Sequence, residues 1–282
     1  MTLKIVTDSA CDVPQEIADA LDITIIPVYI NIGETGYREG VDITREAFYK
    51  NLSDYPEYPT TAAPAIGTFT QVYEQLAAEG ATEILSIHLA DSISATYNTA
   101  RLGAEAAEGV AVTVFDSHQI TVGAGLLVVI AAEAVAAGKP LAAVVQLLNE
   151  RVPRSRVFGM IDNLEALRRS GRVNWAQFGL GTLLRIKPVM MIQADDISVV
   201  AKIRTRKRAI SHTIDMVSAF SPFERIAIIH VNAPALAETL RQKAVDLFQT
   251  EHPPFIMEVT PAIGVHLGIG AVGFACIAVN DL

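Results

Sequence analysis

Short apolar runs rich in β-branched residues alternate along the chain with longer stretches whose apolar positions recur every three to four residues. The runs KIVTDS (4–9), ITIIPVYINI (23–32), EILSIHL (83–89) and VAVTVFDS (110–117) predict strands. Helical patterns open at Pro14, Thr44, Gly67 and Ser94, and extend across 119–138 and 140–152. Alternation of this kind predicts a parallel sheet with helices on its faces. Right-handed crossovers then bring the C-terminal ends of the strands to one edge, where open α/β sheets bind ligands.

Beyond Arg151 the pattern changes. VPRSRVFGMI leads into a helix ending LEALRRSGR, and KPVMMIQADDISVVAKIRT reads as two strands joined by a hairpin turn at Asp195-Asp196. RIAIIHV, FIMEVTP and AVGFACIAV add three more strands, separated by one long helix and a short loop. The expected fold is therefore two α/β domains. Residues 1–155 form a parallel sheet flanked by helices, and 156–282 a mixed, largely antiparallel α/β domain. The most apolar stretch, Ile120 to Ala137, is interrupted by Glu133 and sits within the α/β alternation, so it reads as a buried helix rather than a membrane span.

Composition narrows the function. Of 282 residues, 51% are hydrophobic, enough for sizeable cores. A formal net charge of -9 excludes a general binder of nucleic acid or anionic membrane, which needs a positive surface. Cys11 and Cys276 stand far apart with no CxxC or histidine-rich neighbour, so no metal site or disulfide framework is indicated. No secretory signal pattern opens the chain, and a cytoplasmic location is expected.

The stretch LADSISATYNTA (89–100) gathers Ser92, Ser94, Thr96 and Thr99 around a helix start. Ser94 has the position of an N-cap, its oxygen accepting an orphan backbone N–H. The same helix start could instead hold an anion on free N–H groups, with Ser94 and Thr96 adding hydroxyl donors. YPTTAAPAIGTF (58–69) supplies a second hydroxyl-bearing loop, with Thr60 and Thr61. Neither loop carries the GxxxxGK[ST] phosphate signature. A singly charged carboxylate, which hydroxyls and backbone N–H groups suffice to hold, fits better.

Taken in order, TDS (7–9), TAAPA (61–65), ISATYNTA (93–100), DS (116–117), RRSGRV (168–173), KPV (187–189), KIRTRKRA (202–209) and VHLGIG (265–270) resemble the DegV family of bacterial fatty-acid-binding proteins across essentially the whole chain. The resemblance implies two α/β domains holding one long-chain fatty acid, its carboxylate at the domain junction and its tail in an apolar tunnel. Thr61 and Ser94 would hydrogen-bond the carboxylate, with Thr96 and His266 beside it. It further implies a ligand-binding subunit rather than an enzyme, without a cofactor or metal, presenting the acid to a separate ATP-dependent kinase that forms acyl phosphate. His266 and Arg172 would then assist phosphoryl transfer, and Arg204, Arg206, Lys207 and Arg208 would dock the kinase. Ala62, Ala65 and Ala95 stand where the family carries serines and a glycine, and Ile269 where it carries a proline. Carboxylate binding therefore rests more heavily on Thr61, Ser94 and backbone N–H groups.

Read from the residues alone, several of these positions have plainer roles. His266 lies in a glycine-rich turn, GVHLGIGAVG, and Arg172 follows a basic helix end that complements the helix dipole. KIRTRKR places five basic residues in seven, which on a strand would alternate onto a solvated face. His88 reads as a hydrogen-bonded core histidine, Asp8 and Asp116 as helix-capping or loop-bracing groups, and Ser9 and Ser117 as part of a polar rim. The amphipathic segment 174–186 is a core helix or a lid over the acyl tail that opens for transient transfer to a partner or membrane. Two other functions remain open. One is a stand-alone acyl hydrolase or transferase using Ser94 and His266, although no GxSxG elbow is present. The other is a lipid-responsive sensor whose basic segment reads a protein or RNA.

Overall fold

The computed structural model describes residues 2–162, 164–171 and 186–280. The described chain divides into two compact units, one formed by Met1–Val152 with Thr260–Ala262, the other by Pro153–Val259 with Ile263–Leu282.

In the N-terminal unit β1 (Leu3–Asp8) leads through a short 3-10 turn into α1 (Gln15–Ala20) and β2 (Ile23–Ile26). The run 23–32 is not one strand. Pro27 has no N–H to give to a ladder, and the chain leaves the sheet there. β3 (Tyr29–Ile32) pairs instead with β4 (Thr35–Arg38), and α2 (Arg45–Asn51) follows, capped by the Thr44 hydroxyl accepting from Ala47 N–H. β5 (Thr60–Ala62) adds to the other side of β3, completing an antiparallel sheet of order β4-β3-β5 that the hydropathy pattern does not reveal.

α3 (Ile66–Ala78), β6 (Glu83–His88), α4 (Thr96–Ala106), β7 (Ala111–Asp116), α5 (Thr121–Ala136) and α6 (Leu141–Arg151) complete the unit. The main sheet has the order β2-β1-β6-β7 and is parallel throughout, as the alternation predicts. Val6, Ile26, Phe69, Tyr73, Ile84 and Ala100 form a core between this sheet and α3 and α4. α5 is buried along almost its whole length, which accounts for its apolar sequence. Among the described residues no helix is long and apolar enough to cross a membrane.

The second unit begins with β8 (Ser155–Met160) and α7 (Leu164–Ser170), followed after the undescribed segment 172–185 by β9 (Lys187–Gln193) and β10 (Asp196–Ile203). Their hairpin turns at Ala194 and Asp195, both at positive φ (43° and 70°), one residue before the expected pair. α8 (Arg206–Ser218), β11 (Phe223–His230), α9 (Pro234–Lys243), β12 (Phe255–Glu258), α10 (Pro261–Leu267) and β13 (Val272–Ala278) follow. The six strands run in the order β10-β9-β8-β13-β11-β12, with only β11 and β12 parallel. Phe158, Phe274, Ile228 and Leu240 lie in its core.

Two sequence expectations change here. The basic segment is not an alternating strand: it leaves β10 at Arg204, bends, and enters α8, capped by the Thr205 hydroxyl accepting from Arg208 N–H. His266 is not in a turn. It occupies the last turn of α10, and the glycines with positive φ, Gly268 and Gly270, come after it.

Close helix packing depends on Gly103 of α4. A Cβ there would lie 2.5 Å from Phe69 Cβ and 3.0 Å from the Ile66 carbonyl, and the Thr70 hydroxyl already donates to the Gly103 carbonyl at 3.2 Å. Gly103→Ala is therefore expected to push α3 and α4 apart and destabilise the protein by about 1–3 kcal/mol, as overpacking does. A denaturant midpoint equal to the wild type's would show that the helices accommodate the methyl group.

Candidate functional site

Parallel pairing brings Asp8, His88 and Asp116 to the same edge of the sheet, His88 lying opposite Asp116 in register. Each of these strand ends is fastened internally. Asp8 caps the 3-10 turn after β1, its Oδ1 accepting from Ala10 N–H at 3.1 Å. Asp116 accepts from the backbone N–H groups of His118 (2.8 Å) and Asp91 (3.2 Å), bracing two loops.

His88 belongs to a buried chain of side chains. Tyr73 donates to Ser86 Oγ at 2.8 Å, Ser86 Oγ lies 2.7 Å from His88 Nε2, and His88 Nδ1 lies 2.8 Å from Asp8 Oδ2. Since Ser86 accepts from Tyr73, its own proton points to Nε2, which leaves the imidazole proton on Nδ1 for Asp8. The composition is that of a Ser-His-Asp triad. Ser86 and His88 are completely buried, however, so no substrate reaches them, and the set acts as a satisfied core network. Burial holds the Tyr73 hydroxyl well above its usual range.

The hydroxyl cluster stands at the loop between β6 and α4. Ile93 and Ser94 N–H groups both bond the Ala90 carbonyl, turning the chain into α4. Ser94 Oγ accepts from Thr96 N–H at 3.3 Å and lies 2.9 Å from Thr96 Oγ1. Thr96 is buried, whereas Ser94 is half-exposed. Either hydroxyl of the pair can donate to the other, and Ser94 Oγ also accepts from Thr96 N–H. Thr99 is spent on its own helix, donating to the Thr96 and Ala95 carbonyls. These three hydroxyls are thus unequal: Ser94 is half-exposed, Thr96 is buried beside it, and Thr99 stays with the backbone.

Thr61 sits on β5 opposite Ile30 of β3, half-buried, not in a free loop. Two residues beyond the strand the chain reaches Pro64 and then α3, whose N-terminus has no side-chain cap. Phe69 of α3 packs edge-on against His88 at 5.3 Å between ring centres. Together with the Gly103 contact, this packs the first turns of α3 against α4 and the end of β6.

The expected polar rim is not formed by Ser9 and Ser117. Ser117 is buried and accepts from Gln119 N–H, while Ser9 donates to Glu39 Oε2 at 2.6 Å and accepts from Val28 N–H. Glu39 leads to a group of residues that sequence patterning did not single out. Its Oε1 accepts from Ala262 N–H at 2.7 Å, and Asp12 Oδ1 accepts from Thr260 N–H at 2.8 Å while its Oδ2 accepts from the Thr121 hydroxyl at 2.6 Å. Arg45 stands 3.5 Å from Asp12. Burial pushes Asp12 up to about 6 despite Arg45, and pushes Glu39 up to about 7 despite its bonds from Ser9 and Ala262.

In the second unit His266 is half-buried in the last turn of α10. Arg172 lies outside the described residues, as does segment 174–185. The basic residues divide. Arg206 forms a bidentate pair with Asp162, both N···O distances 2.9 Å, and Lys187 joins the same carboxylate. Arg204, Lys207 and Arg208 instead line an open groove of about 800 Å³ with Lys202 and His212, and Asp215 is its one acidic residue. Three cations in the first turn of α8 oppose the helix dipole, so helix stability does not account for them.

The sequence matches the model of the DegV family of uncharacterised proteins over residues 2–279. It is 33% identical over 277 residues to a DegV domain-containing protein of Listeria innocua, covering 96% of each chain, and 31% identical over 281 residues to the protein DegV of Bacillus subtilis, covering 97% of this chain and 98% of that one. The fold superimposes with a TM-score of 0.88 on a fatty-acid-binding DegV family protein of Thermus thermophilus, at 30% identity over 99% of this chain and all of that one. The solved Bacillus subtilis structure, described as a fatty acid binding protein, gives a TM-score of 0.87 at 31% identity, over 98% of this chain and 99% of that one.

The buried carboxyls predict a pH dependence. Both bind protons more tightly in the folded chain than in the unfolded one, so their contribution to stability is fully present below about pH 4 and is lost as pH rises through about 6 to 7. Glu39→Gln keeps an acceptor for Ala262 N–H and removes the charge. The stability of this variant relative to wild type is expected to rise between about pH 5 and about pH 8 in denaturant titrations. A pH-independent difference would mean that Glu39 titrates at its ordinary value.

Proposed function

The chain belongs to the DegV family, and on that premise we propose that it binds one long-chain fatty acid and presents its carboxylate to a separate ATP-dependent kinase subunit that forms the acyl phosphate. The observation that carries the reading is the Ser94–Thr96 pair, a half-exposed hydroxyl oriented by a buried one at a helix start on the ligand edge of a parallel sheet. Support for the ligand class comes from the solved Thermus and Bacillus relatives, which bind fatty acid and share about the same extent of chain.

In this reading Thr61 and Ser94 donate to the carboxylate, and Thr96 acts by holding Ser94. A neutral cradle holds the anion while leaving its oxygens nucleophilic, whereas a lysine or arginine salt bridge would stabilise the ground state more strongly. The acyl tail supplies most of the affinity, at about 0.8 kcal/mol for each CH2 removed from water. His266 and Arg172 assist the partner's phosphoryl transfer by donating to the developing charge. Arg204, Lys207 and Arg208 form the docking surface for an acidic patch on the kinase. Arg206, spent on Asp162, shapes the start of α8 beneath them. The chain carries out no turnover by itself and works in the cytoplasm.

Native mass spectrometry of the purified protein, followed by solvent extraction, is expected to show a mass excess that extracts as a long-chain fatty acid. Ser94→Ala and Thr61→Val are each expected to weaken its retention about tenfold, the loss of one hydrogen bond to a charged group. Failure of the wild type to bind added oleate would overturn the reading. Hydrolysis of an acyl ester that depends on Ser94 would replace it with the hydrolase.

A further inference from the structure

Ser94 lies in the loop 89–95, between β6 and α4. A turn fixes its backbone, the Ala90 carbonyl accepting from the N–H groups of Ile93 at 3.0 Å and Ser94 at 3.1 Å. Where Ser94 stands therefore follows from where Ala90 and Asp91 stand. Both are tied to the neighbouring loop, 117–120, which leads from β7 into α5. Among the bonds that join the two loops, Ser117 N–H donates to the His88 carbonyl at 3.1 Å and Ala90 N–H to the Gln119 carbonyl at 2.9 Å. Asp91 N–H donates to Asp116 Oδ2 at 3.2 Å. The first two run from backbone to backbone and do not depend on side chains. The third is made by a side chain, and of the three it lies nearest Ser94 along the chain.

The Asp116 carboxylate serves both loops at once. Its Oδ1 accepts from His118 N–H at 2.8 Å, and His118 stands at φ 52°, a left-handed conformation that a residue with a Cβ holds where its surroundings fix it. Two oxygens thus face two backbone N–H groups on different loops. A carboxylate meets that demand because both its oxygens accept, whereas asparagine offers one acceptor and turns an NH2 towards the other N–H. All of these residues lie within the N-terminal unit.

We infer that Asp116 is a positioning residue for Ser94: by holding Asp91 N–H against the end of β7 it sets where the Ser94 hydroxyl stands, and with it the bond that hydroxyl gives to a fatty-acid carboxylate. The inference rests on the proposed role of Ser94, but the geometry of the two loops does not. Hydrogen bonds weaken steeply as they lose alignment, so a small displacement of the loop costs part of what removal of the hydroxyl costs. Thr61 provides an internal comparison. It lies on β5, paired with β3 in the separate antiparallel sheet, so Asp116 is coupled to Ser94 and not to Thr61.

The test uses the full chain labelled with 15N-serine, the Ser94 amide being assigned as the resonance lost in Ser94→Ala. In the ligand-free protein Asp116→Ala is expected to move this resonance and to speed exchange of the Ser94 amide about tenfold. Asp116→Asn, of the same shape with one acceptor fewer, is expected to give a smaller change in the same direction, and carries the test should Asp116→Ala not fold. Asp116→Ala is further expected to weaken oleate binding about threefold to tenfold, with no further loss when combined with Ser94→Ala and with multiplying losses when combined with Thr61→Val. An unmoved Ser94 resonance in the folded variants would overturn the inference, as would losses that multiply with Ser94→Ala or an equal coupling to Thr61. If wild-type protein failed to bind oleate, the functional reading would fall, and the resonance and exchange measurements would decide the positioning role by themselves.

Discussion

Parallel pairing of β2, β1, β6 and β7 is the constraint from which the N-terminal unit follows. Because all four strands point the same way, every connection must cross back over a face, and each strand delivers its last residue to the same edge. That edge accumulates backbone turns whose polar groups need partners. Asp8, Asp116 and the Ser94–Thr96 pair answer this need locally, and the buried Tyr73–Ser86–His88–Asp8 chain answers it from within the sheet. Among the hydroxyls of this set, that of Ser94 is the half-exposed one, while those of Tyr73, Ser86 and Thr96 are buried.

Much of this was legible in the chain. Strand positions followed from β-branched runs, and the parallel character of the first sheet from their alternation with helices. Asp8 and Asp116 were recognisable as bracing groups, and His88 as a core histidine, because each sat next to a strand end or within an apolar run. Pro27 marks the break between β2 and β3, and Pro261 the start of α10, against the opposing signals of one long apolar run and of the dense glycines after Gly264. Thr205 likewise announced a helix cap within a segment read as strand.

Asp12 and Glu39 were illegible for a different reason. Their partners lie 248 and 223 residues away, and no local periodicity encodes a contact of that span. The same holds for Arg206, whose separation from the other basic residues depends on Asp162, 44 residues upstream. Composition could count the charges but not say which were already neutralised. The groove cations Arg204, Lys207 and Arg208 differ from Arg206 only by where the fold places a carboxylate.

The return of Thr260–Ala262 to the N-terminal unit bears on how this architecture can be taken apart or recombined. A gene segment ending at Val152 would encode all the strands of the first unit and still omit a part of its interior, leaving the donors' places beside Asp12 and Glu39 to water. The two units are thus not interchangeable cassettes. Replacing the first half of this chain leaves the Thr260 and Ala262 N–H groups without acceptors unless the incoming half places carboxyls where Asp12 and Glu39 stand.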